Sequence, residues 1–272
     1  MRLAALAAAA TVAATPIGYL QGRQTPSGGF AEPGGKPSPQ LTAWAVLGMR
    51  AAGAKLAPAT LAYLVAHEDA LAEATDVELV AMAESVLGHR PVRLTARIRM
   101  LQRTNGRIGP TVNSTIWGVL ALRQAGEPVP RASVRFILRR QARSGGWSWF
   151  AGGAPDSNDT AAAVEALRAA GVRGAPIGRA LRFLRRLQNA DGGFELTPGR
   201  GSDSQSTAWA IQAFVAAGAR VPPRAVRYLR QLRRSDGSFR YSVRYAATPV
   251  WVTAQVLPAL ARRPFPLQLQ SP

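Results

Sequence analysis

Phe183-Leu184-Arg185-Arg186-Leu187-Gln188-Asn189-Ala190-Asp191-Gly192-Gly193-Phe194 is one copy of a frame that recurs along the 272-residue chain. Its skeleton is an aromatic and an aliphatic residue, three residues, glutamine, three residues, glycine, one residue, and an aromatic. The same register holds Tyr19, Leu20, Gln24, Gly28 and Phe30, and again Phe136, Ile137, Gln141, Gly145 and Trp147. Worn copies run through Tyr228, Leu229, Arg233, Gly237 and Phe239, and through Gln102, Gly106 and Ile108. Self-similarity at a fixed period marks stacked supersecondary units, each too small to bury its apolar face alone.

Between these copies lies a second kind of segment, apolar on nearly all sides, opened by a polar residue and closed by glycine eleven positions later. Thr42 pairs in this way with Gly53, Thr115 with Gly126, Thr160 with Gly171 and Thr207 with Gly218. Val77 with Gly88 keeps the length, and Thr253 opens a sixth that has no closing glycine. An opening hydroxyl can take first-turn amides, and glycine can adopt the left-handed conformation that ends a helix. Helices that are apolar all round belong inside. The frame segments, such as 179–188 and 224–232, carry arginines beside an apolar stripe and belong outside; several start just after Pro58, Pro91, Pro130, Pro176 or Pro223, as suits a first turn. Six outer and six inner helices can close into a double ring with parallel inner helices. A linear solenoid is the alternative, at the cost of exposed ends.

The frame resembles the Gln/Trp repeat of squalene and oxidosqualene cyclases, found in weaker form in protein prenyltransferase β subunits, and the likeness covers residues 16–263. It implies an all-α (α/α)6 toroid in a single domain over 15–272, with Gln24, Gln102, Gln141 and Gln188 and the glycines Gly28, Gly106, Gly145, Gly192 and Gly237 tying each outer helix to its following turn. Fold does not carry function here, because the same barrel serves cyclases, prenyltransferases, cobalamin carriers and thioester-containing complement fragments. A zinc protein prenyltransferase would need an Asp, Cys and His ligand set, and the chain has no cysteine. A class II terpene cyclase of the resembled family would need Asp-x-Asp-Asp-Thr-Ala, whose middle aspartate protonates an alkene or epoxide. The chain has Asp156-Ser157-Asn158-Asp159-Thr160-Ala161, with an amide where that acid belongs. Asp156 and Asp159 are the substitute acid candidates. Asn113-Ser114-Thr115 and Gln205-Ser206-Thr207 share the register, so the same residues also read as helix-opening sequence.

Composition narrows the classes. Zero cysteines exclude disulfides and thiolate metal sites, and His67 and His89 have no neighbours at metal-ligand spacing, so no metal and no cofactor is expected. A cobalamin-like ligand enters only through the resemblance. The formal charge of +19 is lopsided: residues 1–90 sum to −1 and residues 91–272 to +20, with 32 of the 34 basic residues arginine. Such a surface can meet an anionic one. Nucleic acid is disfavoured, since no binding motif accompanies the charge. Residues 1–14 read as a short signal peptide, a basic start followed by an Ala/Leu/Val run, and imply export to the cell envelope or beyond; if that run is instead the first helix, the protein is cytoplasmic. No later apolar stretch is long enough for a transmembrane anchor.

If the ring closes, the inner helices point their positive N-terminal ends at one mouth, which could hold an anionic or carbonyl-rich ligand. Trp44, Trp117, Trp209 and Trp251 on inner helices, Trp147 and Trp149 on a glycine turn, and Asn158 and Thr160 are the candidate ligand-binding residues. The competing reading has the indoles filling the gap between the rings. Glu165 and Gln212, with Glu84 and Gln255, are polar residues in mid inner helix and point to a partly wet barrel centre. The loop 197–202 is polar and expected to be mobile. The leading expectation is a non-catalytic, exported module binding an unidentified small molecule or protein partner; the alternative is a divergent cyclase acting on a polyprenyl substrate.

Overall fold

The computed structural model describes residues 15–268; the signal-peptide assignment of residues 1–14 lies outside them. Among the described residues there are six inner helices of 13 residues each: α2 (Pro39–Ala51), α4 (Ala74–Val86), α6 (Val112–Gln124), α8 (Ser157–Ala169), α10 (Ser204–Ala216) and α12 (Pro249–Ala261). They alternate with the outer helices α1 (Pro16–Gln21), α3 (Pro58–Ala66), α5 (Val92–Met100), α7 (Arg131–Arg139), α9 (Ala175–Arg186) and α11 (Pro223–Gln231). A two-residue hairpin pairs β1 (Phe194–Glu195) antiparallel with β2 (Ser202–Asp203).

Each inner helix packs on the next, and α12 packs on α2, so the ring closes and the linear solenoid is excluded. Closure is tight enough to need glycine: a Cβ at Gly48 would stand 2.3 Å from the Ala254 carbonyl oxygen. Glu32, after the first frame, clasps the last helix by accepting from the amides of Val250 and Trp251 at 3.0 and 2.9 Å.

The frame residues do what the repeat requires. Gln24, Gln141 and Gln188 donate from Nε2 to the carbonyls of Gly28, Gly145 and Gly192 at 3.1, 2.8 and 2.9 Å. Gln24 also reaches Thr60 Oγ1 at 2.7 Å and Gln141 the Pro176 carbonyl at 2.8 Å, so one amide ties a turn to the next outer helix. The glycine at Gly106 has φ +92, and a Cβ there would lie 2.2 Å from the Ala132 carbonyl oxygen. Two separate constraints thus demand glycine.

The inner-helix threonines differ from the sequence expectation. Helix caps lie one turn earlier, at Ser38, Thr111, Asp156 and Asp203, whose side chains accept from Leu41, Ser114, Asp159 and Ser206 amides. Thr42, Thr115, Thr160, Thr207 and Thr253 sit inside the helix and take the buried amides of Phe30, Ile108, Trp147, Phe194 and Phe239 at 2.9–3.1 Å. They bolt the frame's terminal hydrophobe to the inner ring. The closing glycines behave as read, with φ between +67 and +84, and Arg262 takes φ +54 where the sixth helix has none.

Candidate functional site

First-turn residues of all six inner helices, Gln40, Asp76, Asn113, Asn158, Gln205 and Trp251, line one cavity of about 390 Å³, so the inner helices are parallel and this is the N-terminal mouth. Its floor follows from the repeat. Trp44, Trp117 and Trp209 are each the sixth residue of α2, α6 and α10, and the alternate helices carry the smaller Leu79 and Ala162 at the same offset. Large alternating with small lets three indoles reach the axis and touch. Their ring centroids lie 5.5–6.1 Å apart with interplanar angles of 84–89°, the edge-to-face geometry that the aromatic quadrupole favours. Trp209 Nε1 donates to Gln255 Oε1 at 3.0 Å.

Phe265 lies below this floor, 2% exposed, with its ring 6.4 Å from Trp44 and 6.0 Å from Trp209. Its backbone amide donates to Glu165 Oε2 at 2.5 Å, and Gln124 both accepts from Leu267 N (2.6 Å) and donates to its carbonyl (3.0 Å). The segment after α12 therefore plugs the far end, where a second cavity of about 870 Å³ is lined by Arg123, Arg168, Arg262 and Arg263. Glu165, Gln255, Glu84 and Gln212 each pair one side-chain atom, with Phe265 N, Trp209, His89 and the Ala208 carbonyl respectively, and each leaves the other atom buried without a partner. Glu78, which the sequence reading passes over, is fully buried without a partner for either oxygen, and desolvation holds its carboxyl well above the ordinary range.

At the rim, Asp156 caps α8 by accepting from Asp159 N at 2.8 Å. Asn113 Nδ2 on α6 donates to Asp159 Oδ1 at 2.6 Å. Burial, and then the neighbouring Asp156 carboxyl, push Asp159 up to about 8; burial raises Asp156 as well. Two carboxyls this close in a desolvated wall hold a proton that water would take from either. Asn158 lies beside them on the cavity wall.

Most of the sequence candidates converge on this mouth. Trp44, Trp117, Trp149, Trp209, Trp251, Asp156, Asn158 and Asp159 all line it. Trp147 and Thr160 do not. Trp147 is wholly buried, with Nε1 donating to the Ile137 carbonyl at 2.7 Å and its amide to Thr160 Oγ1, so both residues serve the fold. Trp149, two residues further along the turn, reaches the cavity, and its carbonyl accepts from Val112 N and Asn113 N. The 197–202 loop is held by Gly201 N on Glu195 Oε2 and Tyr228 OH on the Ser202 carbonyl.

Many of the amides that the sequence offers to an anionic or carbonyl-rich ligand at this mouth already have partners. No side chain caps the first turn of α4, but elsewhere most helix-end amides are not free: they are spent on the Trp149, Leu196 and Tyr241 carbonyls, on the caps of α2, α6, α8 and α10, and on Glu32. Nor does an imidazole face the cavity: His67 stacks on Tyr63 at 4.2 Å and His89 bonds Glu84. Among the described residues no group of three metal-ligating side chains exists, and no helix is long and apolar enough to cross a membrane.

Residues 112–268 match the profile of the squalene-hopene cyclase C-terminal domain. No curated protein matches the sequence. A protein from Actinoplanes superposes with a TM-score of 0.67 at 20% identity, over 93% of this chain and 99% of that one. Type II terpene cyclase MstE from Scytonema superposes at 0.66 with 15% identity, over 94% and 97%; a variant of it has been solved with its substrate geranylgeranyl dihydroxybenzoate. For ent-copalyl diphosphate synthase from Streptomyces platensis the TM-score is 0.61 at 20% identity, over 84% of this chain and 52% of the synthase, so the chain spans about half its length. At these identities the shared property is the toroid.

Proposed function

Because the chain belongs to the squalene-hopene cyclase C-terminal domain family, we propose that it is a ligand-binding module that holds an apolar, isoprenoid-type molecule in the toroid mouth without turning it over. The observation that carries the reading is Asn158. It stands on the wall of a tryptophan-floored cavity at the position where the resembled cyclases place their proton donor, and an amide has no proton of useful acidity. Cavities of this size and lining suit small apolar ligands. Export belongs to the same proposal and rests on residues 1–14; recovery of the mature protein outside the cytoplasm, starting near Thr15, supports it, and an intact cytoplasmic chain refutes it.

The test is incubation of the purified protein with a mixed panel of polyprenyl compounds and corrinoids, followed by mass spectrometry of the small molecules and of the protein-bound fraction. A retained, unchanged isoprenoid supports the module. A cyclised product overturns it.

One observation favours a second reading. Asp159, pushed up to about 8, holds a proton at neutral pH beside the aromatic floor, and a proton donor of that kind could initiate cyclisation in a divergent cyclase. Product that forms with the natural chain and disappears in Asp159→Asn identifies this case.

A further inference from the structure

We infer that the far end of the toroid is a second binding site, for a multiply charged phosphate group, separate from the mouth and independent of what the mouth holds. Its cavity of about 870 Å³ is lined by Arg123, Arg168, Arg262 and Arg263. The one acid of that lining, Glu165, is fully buried, and desolvation pushes its carboxyl well above the ordinary range, towards the uncharged form. Guanidinium groups gathered around one space without an ionised partner repel one another until an anion joins them.

The repeat separates the structural arginines from the rest. The twelfth residue of α2, α6 and α8 is an arginine: Arg50, Arg123 and Arg168. Arg50 and Arg168 make the same pair of bonds. Nε donates to the last carbonyl of the next inner helix, that of Val86 or Ala216, at 3.1 and 3.0 Å. Nη1 donates to the carbonyl four residues on, that of Ala54 or Val172, at 3.3 and 3.1 Å. This clamp satisfies carbonyls that a helix end leaves open. Arg123 makes neither bond; it is exposed, without a side-chain hydrogen bond or ion pair among the described residues. It also lines an adjoining depression of about 620 Å³ with Arg131 and Arg135, where again no acid contributes.

Arg262 is a second departure from the repeat. It ends α12 at φ +54, the left-handed conformation that glycine supplies at φ +67 to +84 after the other five inner helices. Glycine takes this conformation without strain, so the chain keeps a guanidinium where a smaller residue folds more easily. The segment is also fixed: Arg263 N donates to the Pro258 carbonyl at 2.9 Å, and Phe265 and Leu267 are anchored on Glu165 and Gln124. Arginines presented by a rigid segment need no reordering when an anion arrives.

Guanidinium groups meet phosphate oxygens through paired N–H donors, and each further charge on the anion engages another of them. Phe265, the one aromatic ring of the two linings, is buried, so nothing there stacks a nucleobase. The phosphate belongs to a small molecule or to a lipid headgroup.

Calorimetry of the full chain at physiological salt compares pyrophosphate with sulfate. Pyrophosphate should bind at least about tenfold more tightly, and Arg123→Gln should weaken it about tenfold, the factor carried by one charged hydrogen bond. Arg262→Gly should weaken it as much while raising the melting temperature of the free protein, a combination that a merely structural arginine does not give. The control pair Arg182→Gln/Arg227→Gln removes two exposed charges from α9 and α11 and should leave the affinity within about twofold. Sedimentation with phosphatidylcholine vesicles, with and without phosphatidic acid, separates the sources. Pelleting that needs phosphatidic acid and falls in Arg123→Gln assigns the phosphate to a headgroup; pyrophosphate binding without pelleting assigns it to a soluble ligand. Sulfate bound as tightly as pyrophosphate, an equal loss in the control pair, or an unaffected Arg123→Gln overturns the inference. So does the failure of both pyrophosphate and the vesicles to bind.

Discussion

Asn113 on α6 donates from Nδ2 to Oδ1 of Asp159 on α8 at 2.6 Å, joining two neighbouring inner helices at the cavity wall. The bond survives if Asp159 is replaced by asparagine with its oxygen kept in place, but the titration does not. Folding raises Asp159 from its ordinary 3.8 to about 8. The folded chain therefore holds a proton that the unfolded chain releases above about pH 4, and the stability this lends is lost as pH rises towards 8. Asp159→Asn should gain on the natural chain between about pH 5 and pH 8, by roughly 2–4 °C in Tm for each ~1 kcal/mol. A pH-independent difference in thermal melts would show that Asp159 titrates normally.

Closing the ring depends on Gly48. A methyl group there would meet the Ala254 carbonyl oxygen at 2.3 Å, a backbone atom that cannot swing aside. Gly48→Ala should cost about 1–3 kcal/mol by overpacking, and hydrogen exchange should quicken in α12 and α2 before the other inner helices. Uniform exchange across the ring would contradict a local seam.

Thr207 Oγ1 is the partner of the buried Phe194 amide at 2.9 Å. Thr207→Val keeps the shape and orphans that donor, so a loss of about 1–3 kcal/mol is expected in denaturant unfolding, with Thr207→Ser much milder. Equal losses for both variants would point to packing rather than the hydroxyl.

The Phe265 plug backs the tryptophan floor. Phe265→Ala should destabilise by about 3–5 kcal/mol and red-shift the emission of Trp44 and Trp209, whose rings lie 6.4 and 6.0 Å from it. An unshifted spectrum would mean that the floor holds without the plug.

Much of this molecule is legible in the chain. Gln24, Gln141 and Gln188, their glycines and the closing glycines act at the positions the repeat assigns, because each is a local requirement: a turn, a positive φ, an amide within reach of a carbonyl four residues on. Trp147 and Trp149 were indistinguishable in sequence, yet one is sealed behind Thr160 and the other faces the cavity, since a two-residue step on an extended turn keeps the same face only until the chain bends. Thr160 looked like a cap and is a bolt. A signal for the axial triad was present, the indole two residues after Thr42, Thr115 and Thr207, but only ring closure shows that this offset points inward.

By itself the sequence determined the units, their number, the parallel run of six inner helices and the loss of the acid at Asn158, all properties of spacing and side-chain chemistry within one repeat. The tertiary structure decided what depends on repeats far apart in the chain. Glu32 clasps α12, Phe265 finds Glu165, three tryptophans meet at the axis, and Asp159 gains its proton from burial beside Asp156 and Asn113. The reason is physical: desolvation and contact across a ring are set by which surfaces are brought together, and no local pattern of residues contains that distance.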